Sequence, residues 1–200
     1  MATGARTKSM TSLLYVSIDL GSQGPILYRD YSMHVMKLSM LWAFAVRAQF
    51  LGDPEVFDVS SHYRSTESLA IRKTTYASPW VTVLTSLPVA VGSVSVAAKP
   101  LLSGFRQLLE AVRDWQQHRQ QMRHADTIHV RQNEIQETLL RYLKSILDQN
   151  HGTMDSEMRD AIVAQLLGEE GLERDVWRII ENLGTILEVA DVDENDPRAR

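Results

Sequence analysis

The sequence predicts an α+β fold: a small strand-helix-strand-strand N-terminal unit, an apolar connector, and a mainly α-helical C-terminal region. Three observations carry that reading. Apolar and polar residues alternate from Leu13 to Leu20, the period of a strand with one buried face. After Ser103 the apolar residues recur every three or four positions instead, the period of a helix. The 200 residues are 44% hydrophobic and 23% charged, which is enough apolar material to build a core without staples.

In the first strand Leu14, Val16, Ile18 and Leu20 alternate with Tyr15, Ser17 and Asp19, and the Gly-Pro run at 21–25 ends it. A helix is expected from about Asp30 to Leu51. Val35, Leu38, Trp42, Ala45 and Gln49 share one of its faces, and Met33, Met36, Met40 and Phe44 form a second apolar stripe. A helix apolar over so much of its girth is expected to be covered by two layers. Residues 60–68 read as a Ser/Thr-rich loop. Leu69–Ala77 and Trp80–Thr85 read as strands separated by Ser78-Pro79.

Beyond Pro100, Ser103 is the expected N-cap of a helix carrying Phe105, Leu108, Val112 and Trp115. The pattern lapses over 116–127 and resumes at Ile128 through Ile135, Leu139, Tyr142 and Ile146. That gives either two helices or one long helix with a solvated middle, ended by His151-Gly152. Thr153 or Asp155 caps the next helix, which runs to about Leu167. After a turn at 168–171, a last helix sets Leu172, Val176, Ile179, Ile180, Leu183 and Leu187 on one face. The organisation expected is a flexible N-terminus at 1–11, an α+β unit at 12–86, an apolar connector at 87–102, a helical region at 103–190 and a disordered acidic tail at 191–200. Met10 offers an alternative start.

Charge is unevenly laid out. Residues 1–103 hold nine Lys/Arg against six Asp/Glu, while residues 104–200 hold twelve against nineteen. From Asp148 onward there are fourteen acids and five bases, a net of −9. Such a surface repels nucleic acid and suits a basic protein partner. No cysteine is present, which excludes disulfides, thiolate catalysis, iron–sulfur clusters and Cys-ligated zinc. No apolar leader follows the first ten residues, and the expected compartment is the cytoplasm.

The twenty-five residues between Lys73 and Lys99 carry no formal charge. A stretch of that length can cross a bilayer as a helix. In the membrane reading Trp80, Val81, Val83, Leu84, Leu87, Val89, Val91, Val94 and Val96 of the segment 80–98 meet lipid. Pro79, Pro88 and Gly92 weaken a helix there, and the positive flanks assign no orientation. The leading reading buries the segment in protein, with a short hairpin around Gly92, because so large an apolar surface is not left bare.

The residues offer little chemistry. Asp19-Leu20-Gly21-Ser22-Gln23-Gly24 resembles the first phosphate loop of the actin and sugar-kinase superfamily, which implies a phosphate held by glycine backbone. The chain shows no second phosphate motif, no G-x-x-x-x-G-K-[ST] and no G-x-G-x-x-G, and a Gly-Pro turn explains the same residues. His118, His124 and His129 are spaced six and five apart, which scatters them around a helix rather than gathering metal ligands. His34, inside an apolar helix, is expected to bond a backbone carbonyl. No catalytic, cofactor-binding or metal residues are assigned. The function expected is a non-enzymatic interaction or assembly protein. Its helical region would associate with itself or a protein partner through Phe105, Leu108, Val112 and Trp115, or through Ile135, Leu139, Tyr142 and Ile146. The alternatives are membrane anchoring through 80–98 and an enzyme of unrecognised type, with Asp19 and His34 as a conceivable pair.

Overall fold

A computed structural model describes residues 12–21, 26–50, 69–75, 77–86, 89–91, 94–96, 98–121, 128–150, 152, 154–167 and 172–200. The fold is α+β with a mainly helical C-terminal part. Its strands are β1 (Leu13–Asp19), β2 (Leu69–Thr74), β3 (Trp80–Ser86), β4 (Val89–Val91), β5 (Val94–Val96) and β6 (Thr185–Val192). Its helices are α1 (Tyr28–Gln49), α2 (Ala98–Gln121), α3 (Ile128–Asn150), α4 (Ser156–Leu167) and α5 (Leu172–Glu181).

The sheet has the order β2-β3-β1-β6 and every pairing is antiparallel. The alternation read in β1 is real. Leu14, Val16 and Ile18 point to one face, and Trp80, Leu84, Ile186 and Val189 join them from the neighbouring strands. That face meets the helices. Leu38, Leu41, Trp42 and Phe44 of α1 and Phe105, Leu108 and Val112 of α2 complete one continuous buried cluster with α3 and α5. The Trp42 and Phe105 rings meet edge to face, with centroids 5.4 Å apart. Helix α2 is the middle of the layer, packing against α1, α3, β3 and β6.

The end of the chain departs from the sequence reading. The last helix stops at Glu181, and Gly184 follows at φ +92°, in the left-handed region that favours glycine. Leu187, expected on the apolar face of that helix, is half exposed in β6. Residues 185–192 form a strand because β1 has a second edge to satisfy and Ile186, Val189 and Val192 are the buried members of a bulged pairing with it. The expected disordered tail is also ordered where it is described: residues 191 and 192 end β6, and Asp193 and Asp196 cap the turns that follow.

Other expectations shift by smaller amounts. Helix α2 begins at Ala98, so Ser103 lies inside it rather than capping it, and Pro100 sits in the first turn, where its missing N–H costs nothing. Met33, Met36 and Met40 are exposed rather than covered by a second layer, whereas Phe44 is buried. The segment 122–127 between α2 and α3, the loop 60–68 and the turn 168–171 lie outside the described residues.

The uncharged segment is resolved in two parts. Trp80, Val83 and Leu84, expected in lipid by the membrane reading, are fully buried in β3, an interior strand, and Val81 is half-buried beside them. Trp80 and Leu84 are covered in the main core with the helices, and Val83 belongs to the small cluster on the other face of the sheet. Val89–Val91 and Val94–Val96 pair as an antiparallel hairpin, and Leu87 lies outside the described residues. Among the described residues no helix is long and apolar enough to cross a membrane.

Candidate functional site

Two long amphipathic helices, side by side, leave a furrow wherever facing side chains are too small or too polar to close it. Between α2 and α3 such a groove has a volume of about 1010 Å³. Helix α2 contributes Gln107, Glu110, Ala111, Asp114, Trp115 and His118, residues three and four apart on one side. Helix α3 contributes Glu134, Glu137, Thr138, Arg141 and Lys144 among others. Gln107 and Gln149 exchange amide hydrogen bonds at 3.3 Å near one end. Near the other, the Trp115 indole N–H donates to Glu134 at 3.2 Å, and the Arg119 guanidinium lies 5.5 Å from the Trp115 ring centre.

The lining is acidic in balance. Glu110, Asp114, Glu134 and Glu137 face two cations, Arg141 and Lys144. Several of these charges are already engaged. Glu110 lies 3.6 Å from Arg106, Asp114 lies 3.5 Å from Arg113, and Lys144 lies 2.8 Å from Asp160 of α4. Glu137 is exposed, and its carboxylate makes no ion pair among the described residues. The negative potential of the groove is therefore concentrated on α3 near Glu137.

Of the residues expected to bind a partner, all but Trp115 and Tyr142 lie away from the groove on the same helices. Phe105, Leu108, Val112, Ile135, Leu139, Tyr142 and Ile146 are all buried in the chain's own core. They are not a free face, because α1 and the sheet already occupy it. Phe44 and Tyr142 pack 6.3 Å apart, and the Tyr142 hydroxyl donates to the Gly104 carbonyl at 3.1 Å. Burial raises the Tyr142 phenol well above its ordinary range, so it stays protonated as a donor. Trp115, Leu140 and Tyr142 belong both to the core cluster and to the groove wall.

Of the phosphate-loop resemblance, the described part, Asp19 to Gly21, forms a turn. The Asp19 carboxylate accepts the Gly21 N–H and the Ser78 hydroxyl, both at 2.9 Å. These two bonds hold it below the ordinary carboxylate range. Gly21 has φ +68°, and its neighbours 22–25 lie outside the described residues. Asp19 thus closes its own Asx turn and ties β1 to the Ser78-Pro79 corner.

His34 does not bond a backbone carbonyl as expected. Its Nδ1 is buried without a hydrogen-bond partner, and its ring lies 5.9 Å from that of Trp80. Desolvation first, and then the Lys37 charge, push its pKa down, partly opposed by Asp30. No hydrogen bond joins it to Asp19, so the conceivable pair is not assembled. His118 is exposed at the groove, and His62, His124 and His151 lie outside the described residues. Among the described residues no cluster of three His, Asp or Glu is placed to hold a metal ion.

No protein-family model matches the chain, no curated protein matches it, and no solved structure matches it. The groove residues the sequence reading missed are Gln107, Glu110, Asp114, Glu137 and Arg141. Their signal was available only as a polar side at helical spacing, since facing depends on how two helices pair.

Proposed function

We propose that this chain is a non-enzymatic interaction protein that receives a basic helical segment of a protein partner along the α2–α3 groove. The supporting observation is the excess of carboxylates over cations around an open furrow, with Glu137 unpaired among the described residues and Trp115 on the wall. The stretch from Gln107 to His118 is about 17 Å of helix, room for about three turns of a ligand helix. Charge complementarity of this kind sets orientation and speeds encounter, while contact with Trp115 and Ala111 supplies apolar area.

The test is calorimetric titration with two helical peptides of about 15 residues, one built of Lys and Leu and one of Glu and Leu. The Lys/Leu peptide binds, and its affinity falls as salt rises. Equal binding of the Glu/Leu peptide would contradict the reading. A dimer in light scattering that Glu137→Lys converts to a monomer would instead make a second copy the occupant.

A further inference from the structure

The second face of the sheet is covered differently from the first. Leu13, Val83 and Val192 form their own buried cluster there, with Tyr15 beside them. Leu13 sits opposite Val192 across the β1–β6 pairing, and Tyr15 sits opposite Val83 across β1–β3. The patch therefore runs continuously over three strands. Among the described residues outside the sheet, Ala199 packs against it.

We infer that residues 193–200 are a strap that closes this face, with Arg198 as its clasp, and that loosening the clasp bares the apolar patch. The strap is built from two turns. Asp193 accepts the Asn195 and Asp196 amides on its carboxylate at 2.7 and 3.0 Å. The Ala199 amide donates to the Asp196 carbonyl at 2.9 Å. The guanidinium of Arg198 then does three things at once. Its Nε and Nη2 grip the two Asp196 oxygens at 3.0 and 2.7 Å, which fixes the shape of the segment. Its Nη1 reaches Glu188 on β6 at 2.6 Å. Its central carbon lies 5.3 Å from the centre of the Tyr15 ring on β1.

A further ion pair joins Glu194 to Arg72 of β2 at 3.7 Å, so the segment reaches from one edge strand toward the other. What holds the strap and what it covers are chemically mismatched. The cover is attached chiefly by ion pairs at least partly open to water, with Arg72 and Glu194 more than half exposed. The patch beneath is nearly dry, at 0 to 7% exposure for its three core residues. Exposed ion pairs are weak and screened by salt, whereas apolar burial is not. The attachment therefore loosens under conditions that leave the helical side of the sheet intact.

Amide exchange and an apolar-surface dye, applied to the full chain and to Arg198→Ala and Arg198→Lys, test this. In Arg198→Ala the amides of positions 198 and 199 exchange at least ~10-fold faster, dye fluorescence rises, and the β1 and β3 amides keep their protection. Arg198→Lys, which keeps the charge but not the fork, falls between. Raising salt to about 1 M on the unaltered chain moves the same amides in the same direction. Unchanged strap amides or unchanged dye binding in Arg198→Ala overturns the inference. Should that variant also lose its β1 protection, the salt series on the unaltered chain decides, and constant strap protection there is equally fatal.

Discussion

Helices α2 and α3 each turn one side toward the sheet and another toward the groove, and the two sides obey different rules. Inward, Phe105, Leu108, Val112, Ile135, Leu139 and Ile146 are sealed by α1 and the strands. Outward, Glu110, Asp114, Glu137 and Arg141 line open space. The inward side is held by area removed from water, which does not depend on charge pairing and is not screened by salt. The outward side is held by ion pairs partly open to water, which leaves its residues within a ligand's reach. The regular apolar stripe of a helix thus marks what the chain needs for itself, and the irregular polar side marks what it can offer.

Breaking the inward side should cost most. Phe105→Ala removes a fully buried ring and the edge contact with Trp42, and chemical denaturation should show a loss of about 3–5 kcal/mol. Next comes the turn that returns the chain from α5 to the sheet. At Gly184 a Cβ would lie 2.8 Å from the Asp19 carbonyl oxygen at a left-handed φ. Gly184→Ala should cost about 1–3 kcal/mol in the same measurement.

A smaller effect comes from His34, half-buried against Trp80. Its folded pKa is depressed, so the unfolded chain takes up the proton first. Its contribution is complete above the unfolded pKa of about 6.5 and is lost as pH falls through the lower folded value. Thermal melts from about pH 7.5 down to about pH 5 should show declining stability that His34→Phe reduces. The outward side sharpens the contrast, since Glu137→Lys should change stability by no more than about 0.5 kcal/mol.

Much of the fold was legible. The alternation in β1, the apolar face of α1, the Ser78-Pro79 step and the two helical stretches all stand where the residues put them. The missing strand was not, because Thr185–Val192 is bulged and Leu183, Ile186 and Leu187 also fit a helical period. Only the unpaired edge of β1, a tertiary fact, decides between the two. Gly184 was the local sign that the helix had stopped. The groove was less legible still. Glu110 and Glu137 sit on separate helices, and nothing local to either helix says that they share a furrow. Gln116 shows the same limit: its side-chain amide accepts the Ile186 N–H at 2.9 Å and donates to the Gly184 carbonyl at 2.6 Å, completing the edge of β6 from a helix seventy residues away.

The most direct test is a charge exchange at the groove. Asp114→Lys and Glu137→Lys, combined in one chain, are titrated with the Lys/Leu and Glu/Leu peptides and compared with the unaltered protein. The account predicts that the preference inverts: affinity for the Lys/Leu peptide drops by at least ~10-fold and the Glu/Leu peptide becomes the tighter ligand. An unchanged preference in a chain with an unaltered melting temperature would place the binding surface elsewhere and contradict it.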